Sequence, residues 1–139
     1  MTVNSIYIDY LFGTFIGGGD SEEDVDNYSL YNPNNESDVK KLAKEVLLPE
    51  FQSQNINLIT EVKNSLAYYL TYDKIDFKDK LNSLLLPIKT PDNPKLFFKW
   101  IWEIFFKDEL IDYIKNETVI EDFDINAPYK LLTSSPNSA

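Results

Sequence analysis

The segment from Pro94 to Lys107 constrains the fold of this chain more than any other. It reads PKLFFKWIWEIFFK, in which a polar residue recurs at every fourth position and almost everything between is apolar. On a helix this spacing gathers the polar side chains into one narrow stripe. Such a helix either lies at the centre of a bundle or presents part of its face to a partner, and we predict central burial. The expected core anchors are Trp100, Ile101, Ile104 and Phe105.

Three further segments repeat their apolar residues at helical spacing. They run from Val39 to Leu47, from Leu58 to Leu70 and from Phe77 to Leu85. Residues that favour helix starts precede several of these helices, and proline is expected to end two of them. The expected N-terminal signals are Asn35 or Ser37, Asp76, and Asp92 and Asn93 before Pro94, and the expected ends are Pro49 and Pro87.

The amino-terminal residues follow a different period. Apolar and aromatic side chains alternate along residues 5–16, which favours a strand with one face formed by Ile6, Ile8, Tyr10 and Phe12. Residues 27–31 favour a second, shorter strand, and residues 118–125 favour a strand or an extended segment.

We therefore predict an α-rich α+β fold. A single domain, residues 1–139, would pack a short N-terminal β-hairpin on a bundle of about four helices. Residues 17–36 are expected to form a mobile acidic connection, and residues 133–139 a frayed tail.

The chain contains no cysteine, no histidine and no arginine, and all thirteen basic residues are lysines. The absence of cysteine excludes disulfides and thiolate metal sites. Imidazole is the usual general base near neutral pH, and guanidinium is the usual bidentate ligand of phosphates and carboxylates. Paired carboxylates, a lysine nucleophile and tyrosine remain open. We predict that the chain is not an enzyme and binds neither a metal nor a cofactor.

The net charge of −10 is concentrated at the two ends of the chain. Residues 1–39 hold eight acids and no lysine, residues 40–115 hold eleven acids and twelve lysines, and residues 116–139 hold four acids and one lysine. Because chain termini often lie close together, the ends would form one negative face. A negative field attracts basic proteins and repels nucleic acid. We expect a basic protein partner and no direct nucleic-acid binding.

The densest acidic stretch is GGGDSEEDVD, residues 17–26. A calcium loop that began at Asp20 would need glycine at its sixth position and glutamate at its twelfth, where Val25 and Tyr31 stand. A phosphate loop needs lysine and serine or threonine after its glycines, whereas carboxylates follow here. The two remaining interpretations are a contact surface for a basic partner and a solvated loop that keeps the protein soluble.

The predicted partner-binding residues combine carboxylates from both ends of the chain with interleaved tyrosines. They are Asp20, Glu22, Glu23, Asp24, Asp26, Tyr28, Tyr31, Glu121, Asp122 and Asp124. An alternative is a paired-carboxylate active site, whose candidates are Glu22, Asp24, Asp122, Tyr10 and Tyr129. A lysine nucleophile would be Lys95 or Lys99.

These features favour a small acidic inhibitor that covers the active site of a basic, nuclease-type toxin. In size, acidity and lack of catalytic residue types the chain is similar in kind to the immunity proteins of bacterial contact-dependent inhibition and bacteriocin systems, although no family motif stands in it. The alternatives are a phage-encoded nucleic-acid mimic that inhibits a defence enzyme, a structural or assembly subunit, and a small carboxylate-dependent enzyme. No segment resembles a secretory signal or a membrane span, so the expected location is the cytoplasm, with no membrane partner.

Overall fold

Helices form most of the computed structural model, which describes residues 1–15, 28, 30–107 and 109–133. Strand β1, Thr2–Val3, precedes a 3-10 helix, Ser5–Phe15. The α-helices are α1 Glu36–Leu42, α2 Leu48–Gln52, α3 Ile56–Thr71, α4 Phe77–Leu84, α5 Pro94–Phe105 and α6 Ala127–Thr133. A π-helical turn, Ala43–Leu47, joins α1 to α2, a second 3-10 helix spans Ile111–Asn116, and strand β2 is Ile120–Glu121. The predicted helix-rich fold is confirmed.

Helix α5 buries one face in the core, formed by Phe97, Phe98, Ile101 and Trp102, so the predicted central burial holds for only part of its circumference. It contacts α1, α3 and α4. Phe12 of the first 3-10 helix stacks on Phe97 with ring centroids 6.4 Å apart and meets Phe98 edge-on at 5.7 Å. Aromatic pairs in such arrangements add to the free energy gained from burial.

The tryptophan that α5 buries is Trp102, and the predicted anchor Trp100 is only half-buried. Ile101 is buried as predicted, whereas Ile104 and Phe105 are also half-buried. At 3.6 residues per turn the two tryptophans stand on opposite flanks of the polar stripe. The stripe therefore does not distinguish them, and neighbouring elements decide which flank is covered.

Helix starts follow the predicted capping chemistry. Each capping side chain accepts a hydrogen bond from a backbone N–H two or three residues on: Asn35 from Asp38 at 3.0 Å, Asp76 from Lys78 at 2.9 Å, and Asn93 from Leu96 at 3.1 Å. A cap of this kind stabilises its helix by about 1 kcal/mol. At the other end of α4, Leu85 was expected inside but is exposed, because its left-handed backbone (φ 53°) turns it off the apolar stripe.

Pro49 does not end the helical path, contrary to the prediction. It stands in the first turn of α2, where a missing N–H breaks no helical hydrogen bond. The π-helical turn precedes it and shifts the backbone bonding by one residue. Thr14 Oγ1 donates to Val46 O at 2.9 Å and so ties the first 3-10 helix to this turn.

The predicted N-terminal β-hairpin is wrong. Most of the residues predicted as its first strand form the first 3-10 helix, whose path breaks at Phe12 (φ −108°, ψ 27°). The run from Ile6 to Phe12 is almost entirely apolar, so it fits a helical period as well as an alternating one. The side chains that this helix buries are spaced as on a helix and are Tyr7, Ile8, Leu11, Phe12 and Phe15.

The second predicted strand of the hairpin lies partly outside the described residues, at positions 27 and 29. The described residues of this segment form a turn, in which the N–H of Tyr31 donates to Tyr28 O at 3.2 Å.

Strands β1 and β2, the only strands in the described part of the chain, pair in parallel. Thr2 lies opposite Ile120, and Val3 lies opposite Glu121. The Met1 ammonium donates to Thr118 O at 3.0 Å, across 117 positions of sequence. The extended segment predicted at 118–125 is therefore confirmed at β2, and the start of the chain lies beside an acidic segment near its end.

The predicted mobile connection and frayed tail stay predictions, since positions 17–27, 29 and 134–139 lie outside the described residues. Among the helices that the structure describes, none has both the length and the hydropathy needed to cross a membrane.

Candidate functional site

The structure describes only some of the predicted partner-binding residues. Those of the first acidic stretch, Asp20, Glu22, Glu23, Asp24 and Asp26, lie outside the described residues. Tyr28 packs edge-on against Phe15 with ring centroids 4.8 Å apart, and Tyr31 is half-buried against the core. The described acidic candidates are Glu121, Asp122 and Asp124.

These three carboxylates belong to a segment whose burial pattern is inverted. Ile120, Phe123 and Ile125 expose 64%, 76% and 74% of their surface, whereas Glu121, Asp122 and Asp124 are half-buried. An extended segment that packs on one side normally turns its apolar residues inward and its charges outward. Here the acidic residues are the less exposed ones, and the large apolar residues are the most exposed.

Glu121 faces inward because the core offers it a donor. The hydroxyl of Tyr69, a buried residue of α3, donates to Glu121 Oε1 at 3.0 Å. Burial of the phenol, together with the adjacent Glu121 carboxylate, raises the pKa of Tyr69. The phenol stays protonated at neutral pH and remains a hydrogen-bond donor.

Asp124 organises the turn that leads from β2 to α6. Its Oδ2 pairs with Lys130 Nζ at 2.5 Å, and its Oδ1 accepts the N–H of Asn126 at 2.9 Å. These two bonds lower the pKa of the Asp124 carboxyl. Asp122 Oδ1 in turn accepts the N–H of Asp124 at 3.1 Å. The carboxylates thus order the segment as well as carrying its charge.

Asn4 ties this segment to the amino terminus. It is buried, and its Nδ2 donates to Asp124 O at 2.9 Å while its Oδ1 accepts the N–H of Ile6 at 3.0 Å. Its own N–H donates to Ser65 Oγ on α3 at 3.1 Å. With all of these bonds formed, Asn4 holds the amino terminus, helix α3 and the segment at Asp124 together.

We define the carboxy-terminal surface as the three outward apolar residues, the three carboxylates and two exposed residues of α6. Its members are Ile120, Glu121, Asp122, Phe123, Asp124, Ile125, Tyr129 and Leu132. Several large apolar side chains are exposed within this short stretch of sequence, which makes it a candidate interaction site. The exposure of Ile120, Phe123 and Ile125 was not predictable from IEDFDI, because its apolar and acidic residues do not alternate strictly and each face of an extended segment would carry both kinds.

The alternative active-site residues share no hydrogen bond in the described part of the structure. Tyr10 and Tyr129 make no hydrogen bond there to Asp122, and Glu22 and Asp24 lie outside it. Asp122 lies instead near Tyr7, whose pKa is raised to about 12 by burial, then by the charges of Glu61 and Asp122. Lys95 is paired with Asp73 at 2.6 Å.

Within the described residues, no group of three or more acidic, histidine or cysteine side chains is placed to hold a metal ion. Comparison with protein-family models, with curated proteins and with solved structures gave no match to this chain.

Proposed function

We propose that this chain is a small acidic protein-binding inhibitor, an immunity protein or antitoxin that neutralises a basic, nuclease-type toxin by covering its active site. The observation that carries the proposal is the inverted segment, in which Ile120, Phe123 and Ile125 face solvent. Interfaces draw most of their affinity from a few large side chains that become fully desolvated on binding. A rigid framework that holds such side chains outward reduces the entropy lost on association.

Charge complementarity supports a basic partner. The chain carries a net charge of −10, and Glu121, Asp122 and Asp124 lie between the outward apolar residues. A negative field of this kind speeds association with a positive protein and disfavours other partners. The active-site cleft of a nuclease is positive because it accommodates phosphates, so it matches this surface in sign.

Of the other inhibitor types, a nucleic-acid mimic would carry carboxylates in rows over much of its surface. Residues 40–115 instead hold nearly equal numbers of acids and lysines. This distribution favours a localised contact.

A structural or assembly subunit is the second candidate, because the same exposed apolar residues would suit a permanent interface. Helix α5 would contribute little to that interface, since Phe97, Phe98 and Trp102 are already buried within the chain. An inhibitor abolishes an activity of its partner, whereas an assembly subunit does not.

The test begins with affinity capture. The chain is immobilised, exposed to host lysate, and washed at low and at high salt. A captured basic protein is then purified alone, and its nuclease activity is titrated with this chain. Stoichiometric loss of activity supports the proposal. Capture of a partner whose activity is unchanged favours the assembly subunit, and recovery of no protein contradicts both.

The carboxy-terminal surface is tested with the double variant Phe123→Ala and Ile125→Ala. We expect the purified complex to weaken by about tenfold or more, mainly through faster dissociation. The matched control changes Ile56→Ala and Leu85→Ala, two equally exposed apolar residues outside this surface. Equal affinity of both variants would place the interface elsewhere.

The first acidic stretch is tested separately by charge reversal. Changing Asp20, Glu22, Glu23, Asp24 and Asp26 to lysine should slow association at low salt and leave the circular dichroism spectrum unchanged. An unchanged association rate would remove these residues from the interface without affecting the test of the carboxy-terminal surface.

A further inference from the structure

An open groove of about 740 Å³ lies on the side of α5 that carries its polar stripe. Its walls come from α5, from the carboxyl end of α3 and from the second 3-10 helix. The apolar lining consists of Leu70, Leu96, Trp102, Leu110 and Ile111. Sites for small organic molecules have volumes of about 300–1,000 Å³ and are mainly apolar with a few polar groups.

Four lysines also line this groove, although the chain as a whole is strongly acidic. Lys95 pairs with Asp73 at 2.6 Å, and Lys115 lies 3.6 Å from Asp112. The other two are Lys99 and Lys107. Within the described residues, neither of these ammonium groups lies within ion-pair distance of a carboxylate.

The carboxylates in the groove do not neutralise Lys99 and Lys107, because they are paired with other lysines. Glu103 bonds Lys40, which is outside the groove, at 2.9 Å, and Glu109 pairs with Lys63. The pair between Lys40 and Glu103 raises the pKa of Lys40. The groove thus combines apolar walls with two cations that the described part of the chain leaves uncompensated.

We propose that this groove binds a small organic anion that has an apolar body. The body would lie against the more exposed apolar residues Leu96, Leu110 and Ile111, in front of the buried Trp102, and the anionic group would meet the ammonium groups of Lys99 and Lys107. Such a ligand gains from burial of its apolar surface and from attraction to two solvent-exposed ammonium groups, an attraction that salt screens. Nucleic acid fits less well, since it would meet the repulsion of the net charge.

The probe for the test is 8-anilinonaphthalene-1-sulfonate, an aromatic anion whose fluorescence rises in apolar sites. We expect saturable binding at one site per chain. The uncharged analogue N-phenyl-1-naphthylamine should bind about tenfold more weakly, because it lacks the group that the lysines attract. Binding of the sulfonate should also weaken as salt increases.

The double variant Lys99→Gln and Lys107→Gln should lose about tenfold in affinity for the sulfonate. The control variant Lys41→Gln and Lys44→Gln removes the same charge from two exposed lysines that do not line the groove, and it should bind like the parent. Both variants change solvent-exposed residues, and circular dichroism would verify that each is folded.

The site is located with the two tryptophan indole N–H signals in heteronuclear NMR spectra. Trp102 lines the groove and its Nε1–H donates to Glu109 O at 3.0 Å, whereas Trp100 does not line it. The sulfonate should therefore shift the Trp102 signal much more than the Trp100 signal. The proposal is overturned by absence of saturable binding, by equal affinity of the two lysine variants, or by equal shifts of both signals.

Discussion

The hydroxyl of Tyr69 donates a hydrogen bond to Glu121 Oε1 across 3.0 Å and so joins helix α3 to strand β2. Because Glu121 turns toward this buried donor, its neighbour Ile120 turns toward solvent. The same strand is also held by the amino terminus, since the N–H of Ile120 donates to Met1 O at 2.9 Å. The exposed apolar residues of the carboxy-terminal surface thus depend on polar contacts made beneath them.

Replacement of Tyr69→Phe should therefore loosen β2. A hydrogen bond to a charged group contributes about 1.5–3 kcal/mol to stability. Because Glu121 is half-exposed, we expect the bond from Tyr69 to lie near the lower end of that range. We expect the free energy of unfolding in urea to fall by about 1.5 kcal/mol, and amide exchange at residues 118–122 to become faster. Tyr129→Phe removes an exposed hydroxyl and serves as the control. Equal stability of the two variants would show that the bond contributes nothing.

The two tryptophans of α5 should differ sharply in their contribution to stability. Trp102 is buried against Phe106, with ring centroids 4.6 Å apart, while Trp100 is half-buried. Trp102→Ala should lower the free energy of unfolding by about 3–5 kcal/mol. Trp100→Ala should cost less than half of that in the same denaturation experiment. The reverse order would contradict the arrangement of α5 in the core.

Removal of the Thr71 hydroxyl should make the folded protein more stable. Its Oγ1 is buried and has no hydrogen-bond partner among the described residues. An unsatisfied buried polar group costs about 1–3 kcal/mol, so Thr71→Val should raise the free energy of unfolding by about 1 kcal/mol. The control is Thr60→Val, since Thr60 Oγ1 is exposed and donates to Ile56 O at 3.0 Å. A destabilised Thr71→Val variant would show that the hydroxyl is satisfied in solution.

Glu61 should make stability depend on pH. Burial raises its pKa, and the positive chain terminus offsets this only in part. The ionised carboxylate is therefore less favourable in the folded chain than in the unfolded one. This penalty is absent below the ordinary pKa of 4.5 and appears as the pH rises through the higher folded value.

Glu61→Gln removes that penalty, so we expect the variant to be more stable than the parent at neutral pH. The difference should vanish at about pH 3, where the carboxyl is protonated in both states. Glu45→Gln removes the same charge from an exposed position and controls for net charge. A stability difference that persisted unchanged at low pH would rule out burial of the charge as its cause.

Several features of the fold follow from residues that are close together in sequence. The helix starts at Asn35, Asp76 and Asn93 were predictable because a capping side chain bonds an amide only two or three positions away. The amphipathic helices were predictable for a similar reason, since spacing along the chain determines the angle around the helix axis.

The sequence by itself thus determined four amphipathic helical segments, three of their starts, and an acidic segment near the end of the chain. Only the tertiary structure decided between patterns that local spacing leaves equivalent. Residues 5–15 form a helix that packs Phe12 on Phe97, Trp102 is buried in place of Trp100, and Glu121 turns inward to meet Tyr69. Spacing fixes which side chains share a face, but only contacts between distant residues determine which face is covered.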